Sequence, residues 1–166
     1  MQNYTSKNTS VNATKVPAVF RKALYSIGEI NLDYGGGKYD TATRYLQPYG
    51  KTNLIYDPYN RTKEHNQNVE DELFLNCGAD SCTMSNVLNV IDKLEDRLAA
   101  LTHAKSLMKP MAYIYITVYE GDRSGCGRET KKDCWQANRP LKSYLKEVKK
   151  VFYWARVYNG MIIAQK

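Results

Sequence analysis

Three consecutive glycines follow a short apolar stretch and an acid in the first quarter of the chain. Asp33 stands two residues before Gly35, Gly36 and Gly37. Glycine has no Cβ atom, so it reaches positive φ and lets a ligand lie against bare backbone. Asp57 ends a second apolar stretch 24 residues later, where an acid can accept both hydroxyls of a ribose. The spacing predicts a site for an adenosine-containing ligand, although a plain turn with a capping aspartate would use the same residues.

The residue three positions after Gly37 separates two classes of ligand. A dinucleotide-binding turn reads G-x-G-x-x-G, and its third small residue lets the helix N-terminus face a pyrophosphate. Asp40 occupies that position, and a carboxylate there repels phosphate. S-adenosylmethionine (SAM) carries an ammonium but no phosphate, and Asp33 can bind the ammonium. The pattern favours SAM over NAD, while Lys38 could serve either a phosphate or the methionine carboxylate.

Helical and extended patterns alternate along the chain. Apolar spacing predicts helices over 16–27, 39–47, 92–108 and 140–149. Strands are predicted over 29–33, 52–56, 73–75, 81–85, 111–119, 151–158 and 161–165, with polar loops over 59–71 and 120–139. Such alternation is typical of an open, mostly parallel sheet with helices on both faces. Asn159-Gly160 is a favoured two-residue hairpin turn, so the last two strands should run antiparallel.

Residues 31–37, Asp57 and the SNVLNVI stretch at 85–91 resemble the first, second and fourth motifs of class I SAM-dependent methyltransferases. The resemblance implies a Rossmann-like α/β fold with seven strands, the last antiparallel and inserted between the fifth and sixth. DYGGGKYD, YDPYN, SNVLNVI and the stretch at 125–138 are also similar to methyltransferases that accompany DNA phosphorothioation systems, and to their phage relatives. SAM as cosubstrate, and S-adenosylhomocysteine (SAH) as product, follow from this resemblance.

The same resemblance implies which residues bind the cofactor. They are Asp33, Tyr34, Gly35, Gly36, Gly37, Asp57, Pro58, Tyr59, Ser85, Asn86 and Val87. Within this set the first acid and the glycines would line the methionine part, and the second acid would hold the ribose hydroxyls. The Pro-Tyr pair would flank adenine, and the last three residues would close the pocket.

Methyl transfer is an in-line displacement at a sulfonium methyl, so the protein mainly aligns the acceptor, excludes water and, where required, takes a proton. No nucleophilic residue and no metal is needed. Asn89, Tyr119 and Glu120 lie after predicted strands and are the candidate catalytic contacts. Glu120 is the favoured proton acceptor, with a solvated loop carboxylate as the alternative.

An aromatic residue and two amides stand close together in a basic loop. They are Trp135, Gln136 and Asn138, with Lys131 nearby. Stacking, amide hydrogen bonds and cations together are how an unstacked base is held, so a nucleic acid or a nucleotide-like molecule is the predicted acceptor. Trp135 could instead simply cover the core. The chain lacks the D/N/S-P-P-Y/F/W element and the Pro-Cys nucleophile, which disfavours amino and C5 methylation of bases. A small metabolite as acceptor, or a catalytically silent SAM- or DNA-binding accessory protein, remain alternatives.

Composition limits the class of protein. The chain has 166 residues and a net charge of +7, and ten basic against four acidic residues between 121 and 156 contribute +6 of it. Such a field suits polyanions or simply a solvated helix face. No apolar run approaches the roughly 20 residues that cross a bilayer, and the polar start lacks a signal core, which predicts a cytoplasmic protein. The spacing of the four cysteines matches no zinc pattern.

One domain of ordinary size is predicted. Residues 1–15 read as a flexible arm, and 16–166 as a single SAM-binding methyltransferase domain. A chain of this length leaves almost nothing beyond the cofactor-binding core. Recognition of a large acceptor would therefore fall to the arm, to the loops, or to a partner protein. The oligomeric state stays open.

Overall fold

The computed structural model describes residues 3–7 and 14–166, which alternate between helices and strands. The helices are α1 (Ala18–Ala23), α2 (Thr41–Leu46), α3 (Lys63–Leu75), α4 (Leu94–Ser106) and α5 (Leu145–Val151). The strands are β1 (Ile30–Tyr34), β2 (Thr52–Tyr56), β3 (Ala79–Ser85), β4 (Met108–Thr117), β5 (Gly127–Lys131), β6 (Cys134–Ala137), β7 (Trp154–Tyr158) and β8 (Met161–Gln165). None of the helices in the described ranges has the length and apolar character that crossing a membrane requires.

The main sheet has six strands in the order β2-β1-β3-β4-β8-β7. The first four are parallel neighbours, and β8 runs antiparallel to both β4 and β7. The turn between β7 and β8 has Asn159 at φ 50° and Gly160 at φ 65°. Two central residues with positive φ define the hairpin turn that suits the twist of the strands. The predicted C-terminal antiparallel hairpin is confirmed, and its last strand, β8, lies between β4 and β7.

The prediction of a strand at 73–75 is wrong, and so is most of the predicted loop at 59–71. Both segments belong to α3, which Thr62 caps by accepting a hydrogen bond from the His65 N–H at 3.1 Å. Leu73 is buried, but Phe74 and Leu75 are 84% and 80% exposed. A helix with one buried face gives this pattern, whereas a strand buried on both sides would cover all three side chains. The main sheet therefore has six strands rather than seven.

The predicted loop at 120–139 also contains regular structure. β5 and β6 pair antiparallel as a separate two-stranded sheet, here named the β5–β6 hairpin (residues 127–137). The segment has few apolar residues, so its pairing left no clear alternating pattern in the sequence.

The two faces of the main sheet carry separate apolar cores. Ile114 and Ile116 of β4 pack in the larger core with α3, α4 and α5, whereas Tyr115 packs in the smaller one with α1 and α2. In the larger core Arg97 of α4 makes a two-pronged ion pair with Glu147 of α5, at 2.7 and 3.0 Å. Arg97 also donates to the carbonyls of Ile91 and Asp92, both at 3.0 Å, and so fixes the segment that follows β3.

Strand β7 forms one edge of the main sheet. Trp154, Arg156 and Tyr158 alternate along it, and the Arg156 guanidinium lies 5.2 and 5.3 Å from the two ring centroids. A cation thus sits between two aromatic rings on the exposed border of the sheet.

Candidate functional site

A cavity of about 710 Å³ opens where β1, β2 and β3 end. All eleven residues predicted to bind the cofactor line it. We name this part of the lining the glycine wall: residues 33–37, 57–60 and 85–87. The acidic lining residues are Asp33, Asp57 and Asp96, and no lysine or arginine is among the lining residues in the described part of the chain. The cavity is therefore electronegative and has no side-chain cation for a phosphate.

The glycine turn after β1 needs residues without side chains. Gly35 has φ 72°, and a Cβ atom placed on it would lie 2.4 Å from Val87 Cγ2. A Cβ atom on Gly36 would lie 2.5 Å from Asp33 Oδ2. Arg61 holds the turn from the other side, since its Nε donates to the Gly37 carbonyl at 2.8 Å and the same side chain pairs with Asp40 at 2.7 Å. Asp40, which stands where a dinucleotide site needs a small residue, thus helps to position the turn.

Asp33 ends a buried line of polar side chains that crosses three strands. Asn31 donates to Asn53 Oδ1 at 2.7 Å and to Thr83 Oγ1 at 2.9 Å, and the Thr83 hydroxyl donates to Asp33 at 3.4 Å. Burial raises the pKa of Asp33 to about 7, and the neighbouring Asp57 carboxylate adds to the increase. A carboxylate held in this state has much to gain from a cationic partner.

The Asp57 carboxylate orders the turn that follows β2. Its oxygens accept hydrogen bonds from the backbone N–H groups of Gly37, Tyr59 and Asn60 at 2.8–2.9 Å. The side-chain amide of Asn60 also donates to Asp57 Oδ2, at 3.2 Å. Asn66 of α3 brackets the Asp57 backbone, accepting from its N–H at 3.0 Å and donating to its carbonyl at 2.9 Å. Helix α3, absent from the sequence prediction, therefore fixes this turn.

The segment after β3 closes the glycine wall. Asn86 has φ 57°, a left-handed conformation that asparagine tolerates, and its N–H donates to the Thr117 carbonyl at 2.9 Å. This turn places Val87 against Gly35. Tyr34 stacks on Tyr56 with ring centroids 5.2 Å apart, and burial raises the pKa of Tyr34.

A second set of lining residues, the hairpin wall, comprises Thr5, Ser6, Asn89, Val90, Tyr119 and Gln136. Asn89, 1% exposed, donates from Nδ2 to Gln136 Oε1 at 3.1 Å. Gln136 Nε2 donates in turn to the carbonyls of Tyr119 and Ala137, at 3.2 and 2.8 Å. The β5–β6 hairpin is thereby tied to the ends of β3 and β4.

Residues 3–7 lie across the hairpin wall. The Thr5 N–H donates to Asp133 Oδ1 at 2.8 Å, and the Thr5 hydroxyl donates to the other oxygen. Ser6 Oγ accepts from the Trp135 N–H at 3.1 Å and donates to the Val90 carbonyl at 3.0 Å. Tyr4 stacks on Trp135, with ring centroids 5.4 Å apart. This part of the predicted arm thus supplies Thr5 and Ser6 to the cavity, while flexibility of the whole arm stays a prediction.

Comparison with known proteins agrees with this geometry. Residues 20–161 match the family model described as a methyltransferase domain. The chain belongs to this family. It is a SAM-dependent methyltransferase. No curated protein sequence matches the chain.

The methyltransferase is also similar in fold to solved structures. The 1,6-didemethyltoxoflavin-N1-methyltransferase of Burkholderia thailandensis, solved with 1,6-didemethyltoxoflavin and SAH, is 14% identical with a TM-score of 0.67, and the match covers 97% of this chain and 84% of that one. Human N-acetylserotonin methyltransferase with SAM is 15% identical with a TM-score of 0.60, covering 94% and 52%. The glycopeptide N-methyltransferase MtfA is 8% identical with a TM-score of 0.55, covering 89% and 92%. The chain thus spans about half of the human protein. At these identities the likeness shows the fold alone.

The glycine wall of the methyltransferase fits SAM by the chemistry of its groups. Asp33 offers a buried carboxylate to an ammonium, Asp57 and Asn60 offer polar groups to ribose hydroxyls, and the Gly35 turn leaves backbone bare. The absence of lysine and arginine from the described lining suits a cofactor without phosphate. These individual roles stay predictions.

Four residues predicted for catalysis or substrate binding do not line the cavity of the methyltransferase: Glu120, Lys131, Trp135 and Asn138. Glu120 accepts from the Leu141 N–H at 2.7 Å and pairs with Arg123 at 2.5 Å, and these two partners lower its pKa. A carboxylate so engaged is a weak base. Trp135 has Tyr4 as its stacking partner, Lys131 is exposed at the hairpin turn, and Asn138 packs on Gly121 at the hairpin base.

The structure places Asn89 and Tyr119, predicted for catalysis, beside Gln136, predicted for substrate binding, and adds lining residues that the sequence did not indicate. Thr5 and Ser6 were overlooked because nothing local marks a polar N-terminal stretch as part of a wall. Asn60 could have been found, since an asparagine three residues after a strand-ending aspartate commonly closes an Asx turn.

Proposed function

We propose that this enzyme transfers the methyl group of SAM to a small acceptor molecule held against the hairpin wall. The observation that carries the proposal is one continuous cavity, which joins the glycine wall to the hairpin wall, where Thr5 and Ser6 form the part here called the roof. Its volume of about 710 Å³ falls in the range of sites that enclose a cofactor or drug-sized ligands. A cavity of this size suits a molecule that enters whole rather than a polymer.

The charges of the lining support a small acceptor over a polyanion. Asp33, Asp57 and Asp96 line the cavity. Nucleic-acid sites, in contrast, are basic, because most of the affinity comes from neutralised phosphates. The tyrosines Tyr39, Tyr59 and Tyr119 add flat apolar surface to the lining. An uncharged or cationic molecule with an aromatic ring fits this combination best.

The named relatives are compatible with this reading. Two of the similar structures have names that specify small molecules, 1,6-didemethyltoxoflavin and N-acetylserotonin. Their low identity to this chain means that they support the size class of the acceptor and not its identity.

The reaction requires little of the protein beyond positioning the cofactor and the acceptor. SAM, when bound, supplies a methyl group on a sulfonium, which is already an activated leaving group. Asp33 would orient the cofactor through its ammonium, and Asp57 with Asn60 through its ribose. Asn89, Tyr119 and Gln136 would hold the acceptor in line, and the roof made by Thr5 and Ser6 would exclude water. Alignment of this kind is a major source of rate in two-substrate reactions.

Nucleic acid is the second candidate acceptor. Arg128, Lys131 and Lys132 are exposed on the β5–β6 hairpin, next to the residues that roof the cavity. The resemblance to methyltransferases of DNA phosphorothioation systems also favours DNA, and a partner protein or the arm would then supply recognition. A cytoplasmic location is part of both proposals.

Labelling with radioactive SAM tests the function. The protein is incubated with DNA, RNA, protein and small-molecule fractions of a cell extract, with Asp33→Asn as the background. Label in the small-molecule fraction, unaffected by raising salt from 50 to 200 mM, is the expected result. Label in DNA or RNA with a steep loss at higher salt would overturn it in favour of the second candidate. SAH binding by calorimetry without label in any fraction would indicate the accessory protein.

A further inference from the structure

The hairpin wall contains a buried amide with an unused acceptor. Asn89 lies in the short turn Leu88–Val90 after β3, lines the cavity and is 1% exposed. Its Nδ2 donates to Gln136 Oε1, but its Oδ1 has no hydrogen-bond partner within the described residues. A buried carbonyl without a partner forfeits the hydrogen bonds it makes with water in the unfolded chain. Among residues 3–7 and 14–166, no contact compensates for this at Asn89 Oδ1.

The orientation of the Asn89 amide is fixed by its neighbours. Gln136 Nε2 donates to two backbone carbonyls, so the other end of its amide must be the oxygen. An oxygen at that end requires the amide nitrogen of Asn89 to face it. The Asn89 oxygen is thereby the atom left for a further partner. Because Asn89 lines the cavity, a ligand bound there can supply the missing hydrogen bond.

The hairpin wall itself contains no side chain that is a strong base. Thr5, Ser6, Asn89, Val90, Tyr119 and Gln136 include no aspartate, glutamate or histidine, and the acids that do line the cavity, Asp33, Asp57 and Asp96, lie on other segments. Glu120, which follows Tyr119 in the chain, does not line the cavity and is held by Leu141 and Arg123. His103 lines the cavity elsewhere, between the Tyr34 hydroxyl at 3.1 Å and Glu70 at 3.3 Å.

From these observations, and resting on the methyl transfer proposed above, we propose that Asn89 Oδ1 receives an N–H of the acceptor and that the acceptor reacts through this nitrogen. A nitrogen lone pair can attack without first losing a proton to a side chain, whereas a neutral alcohol cannot do so readily. The new bond joins nitrogen to the methyl carbon, and the carbon–sulfur bond breaks with its electron pair going to sulfur. Positive charge passes from sulfur to nitrogen, and the N–H proton leaves to water once the product is released from the cavity.

Asn89 acts in this scheme as a positioning group that becomes more effective as the reaction proceeds. The N–H of a nitrogen gaining positive charge is a stronger donor, so its hydrogen bond to the carbonyl strengthens toward the transition state. The acidic lining favours the same charge. The substrate class is therefore a neutral primary or secondary amine attached to an aromatic body.

The experiment has a binding arm and a product arm. In the binding arm, the protein saturated with SAH is titrated with aniline and with its isostere toluene, followed by ligand-observed NMR. We expect aniline to bind about three- to tenfold more tightly than toluene in the wild type. Asn89→Leu, of similar volume, should abolish that preference, while the control Asn68→Leu on the exposed face of α3 should keep it. In the product arm, the labelled small molecule from the extract should carry its methyl group on nitrogen by mass spectrometry.

The outcomes separate this inference from the proposed function. SAH affinity measured on each variant reports the fold and the glycine wall, and it should be the same in wild type and Asn89→Leu. Equal binding of aniline and toluene, binding of neither, or a preference that survives in Asn89→Leu would overturn the role of Asn89. A methyl group found on oxygen or sulfur would overturn the nitrogen assignment. A wild-type protein that binds no SAH would instead remove the proposed function, and this inference with it.

Discussion

The glycine wall and the hairpin wall face one cavity but are assembled in different ways. Each part of the glycine wall lies at the end of one of three parallel neighbouring strands, so the sheet itself brings the parts together. The hairpin wall joins segments without such a frame, and the contact of Thr5 with Asp133 spans 128 positions of the chain. In the function proposed above, the most regular part of the molecule would hold the cofactor and its least regular part the acceptor. We expect that changes in the hairpin wall would then leave the cofactor site undisturbed.

The largest effect that separates the walls should come from Asp33. Raising the pKa of a buried carboxyl from 3.8 to about 7 costs roughly 4 kcal/mol of folding free energy above pH 7. Between these pKa values the folded state holds more protons than the unfolded state, so the free energy of unfolding falls as pH rises. Asp33→Asn should remove this pH dependence. The free energy of unfolding of this variant relative to the wild type should therefore increase by roughly 2–3 kcal/mol between pH 5 and 8.

Urea unfolding of the ligand-free protein at the two pH values measures this difference. Asp71→Asn, on the exposed face of α3, is the control and should follow the wild type at both values. A constant gap between Asp33→Asn and the wild type would show that Asp33 is not held protonated by its surroundings.

The next effect concerns the turn that gives the glycine wall its name. Gly35→Ala combines a left-handed φ of 72° with a contact of 2.4 Å to Val87 Cγ2. The strained backbone and the overpacking together should lower the free energy of unfolding by about 2–4 kcal/mol. Gly50→Ala is a matched control, because Gly50 has φ 68° and nothing within 4 Å of the added Cβ, and should lose only about 1–2 kcal/mol. Adding Val87→Ala to Gly35→Ala should recover the packing part, and no recovery would show that the clash is not the cause.

A smaller effect is expected at the second acid of the glycine wall. Asp57→Ala should weaken SAM binding by about 1–3 kcal/mol, because the side chain is the predicted partner of the ribose and also holds the Gly37 N–H at 2.9 Å. Isothermal titration with SAH measures the change. Unchanged affinity would remove Asp57 from the cofactor site.

The smallest effect should come from the roof of the hairpin wall. Thr5→Val removes the hydroxyl that donates to Asp133 while keeping the shape of the side chain. Hydrogen exchange in residues 127–137 should quicken by a factor of about 2–10, because one hydrogen bond between the segments is lost. SAH affinity should stay as in the wild type, since Thr5 does not belong to the glycine wall. A loss of SAH affinity would mean that the two walls are not independent.

The contrast between the walls also explains what the sequence could predict. Asp33, the glycine turn, Asp57 and Ser85–Val87 are short contiguous patterns at strand ends, and parallel topology then dictates that they meet. The final antiparallel strands followed from Asn159-Gly160 alone. These features depend on a few residues each, and their physical meaning is local.

The rest depended on contacts between distant residues. Trp135 looked like a stacking group for a base, but its partner in the structure is Tyr4, and no periodicity joins the two. Helix α3 was read as a loop because its surface is polar, and the cap at Thr62 is a weak signal in such a segment. The strand predicted at 73–75 is part of α3 instead. Of its three apolar residues only Leu73 is buried, and the other two side chains are exposed.

The alternation of Trp154, Arg156 and Tyr158 on β7 bears on how the protein behaves at high concentration. A border strand with unpaired backbone groups and two exposed rings would invite a neighbouring molecule to extend the sheet. Arg156 places a permanent charge in the middle of that strand. Because a charge on an edge strand opposes pairing with another chain, we expect this guanidinium to limit edge-to-edge association.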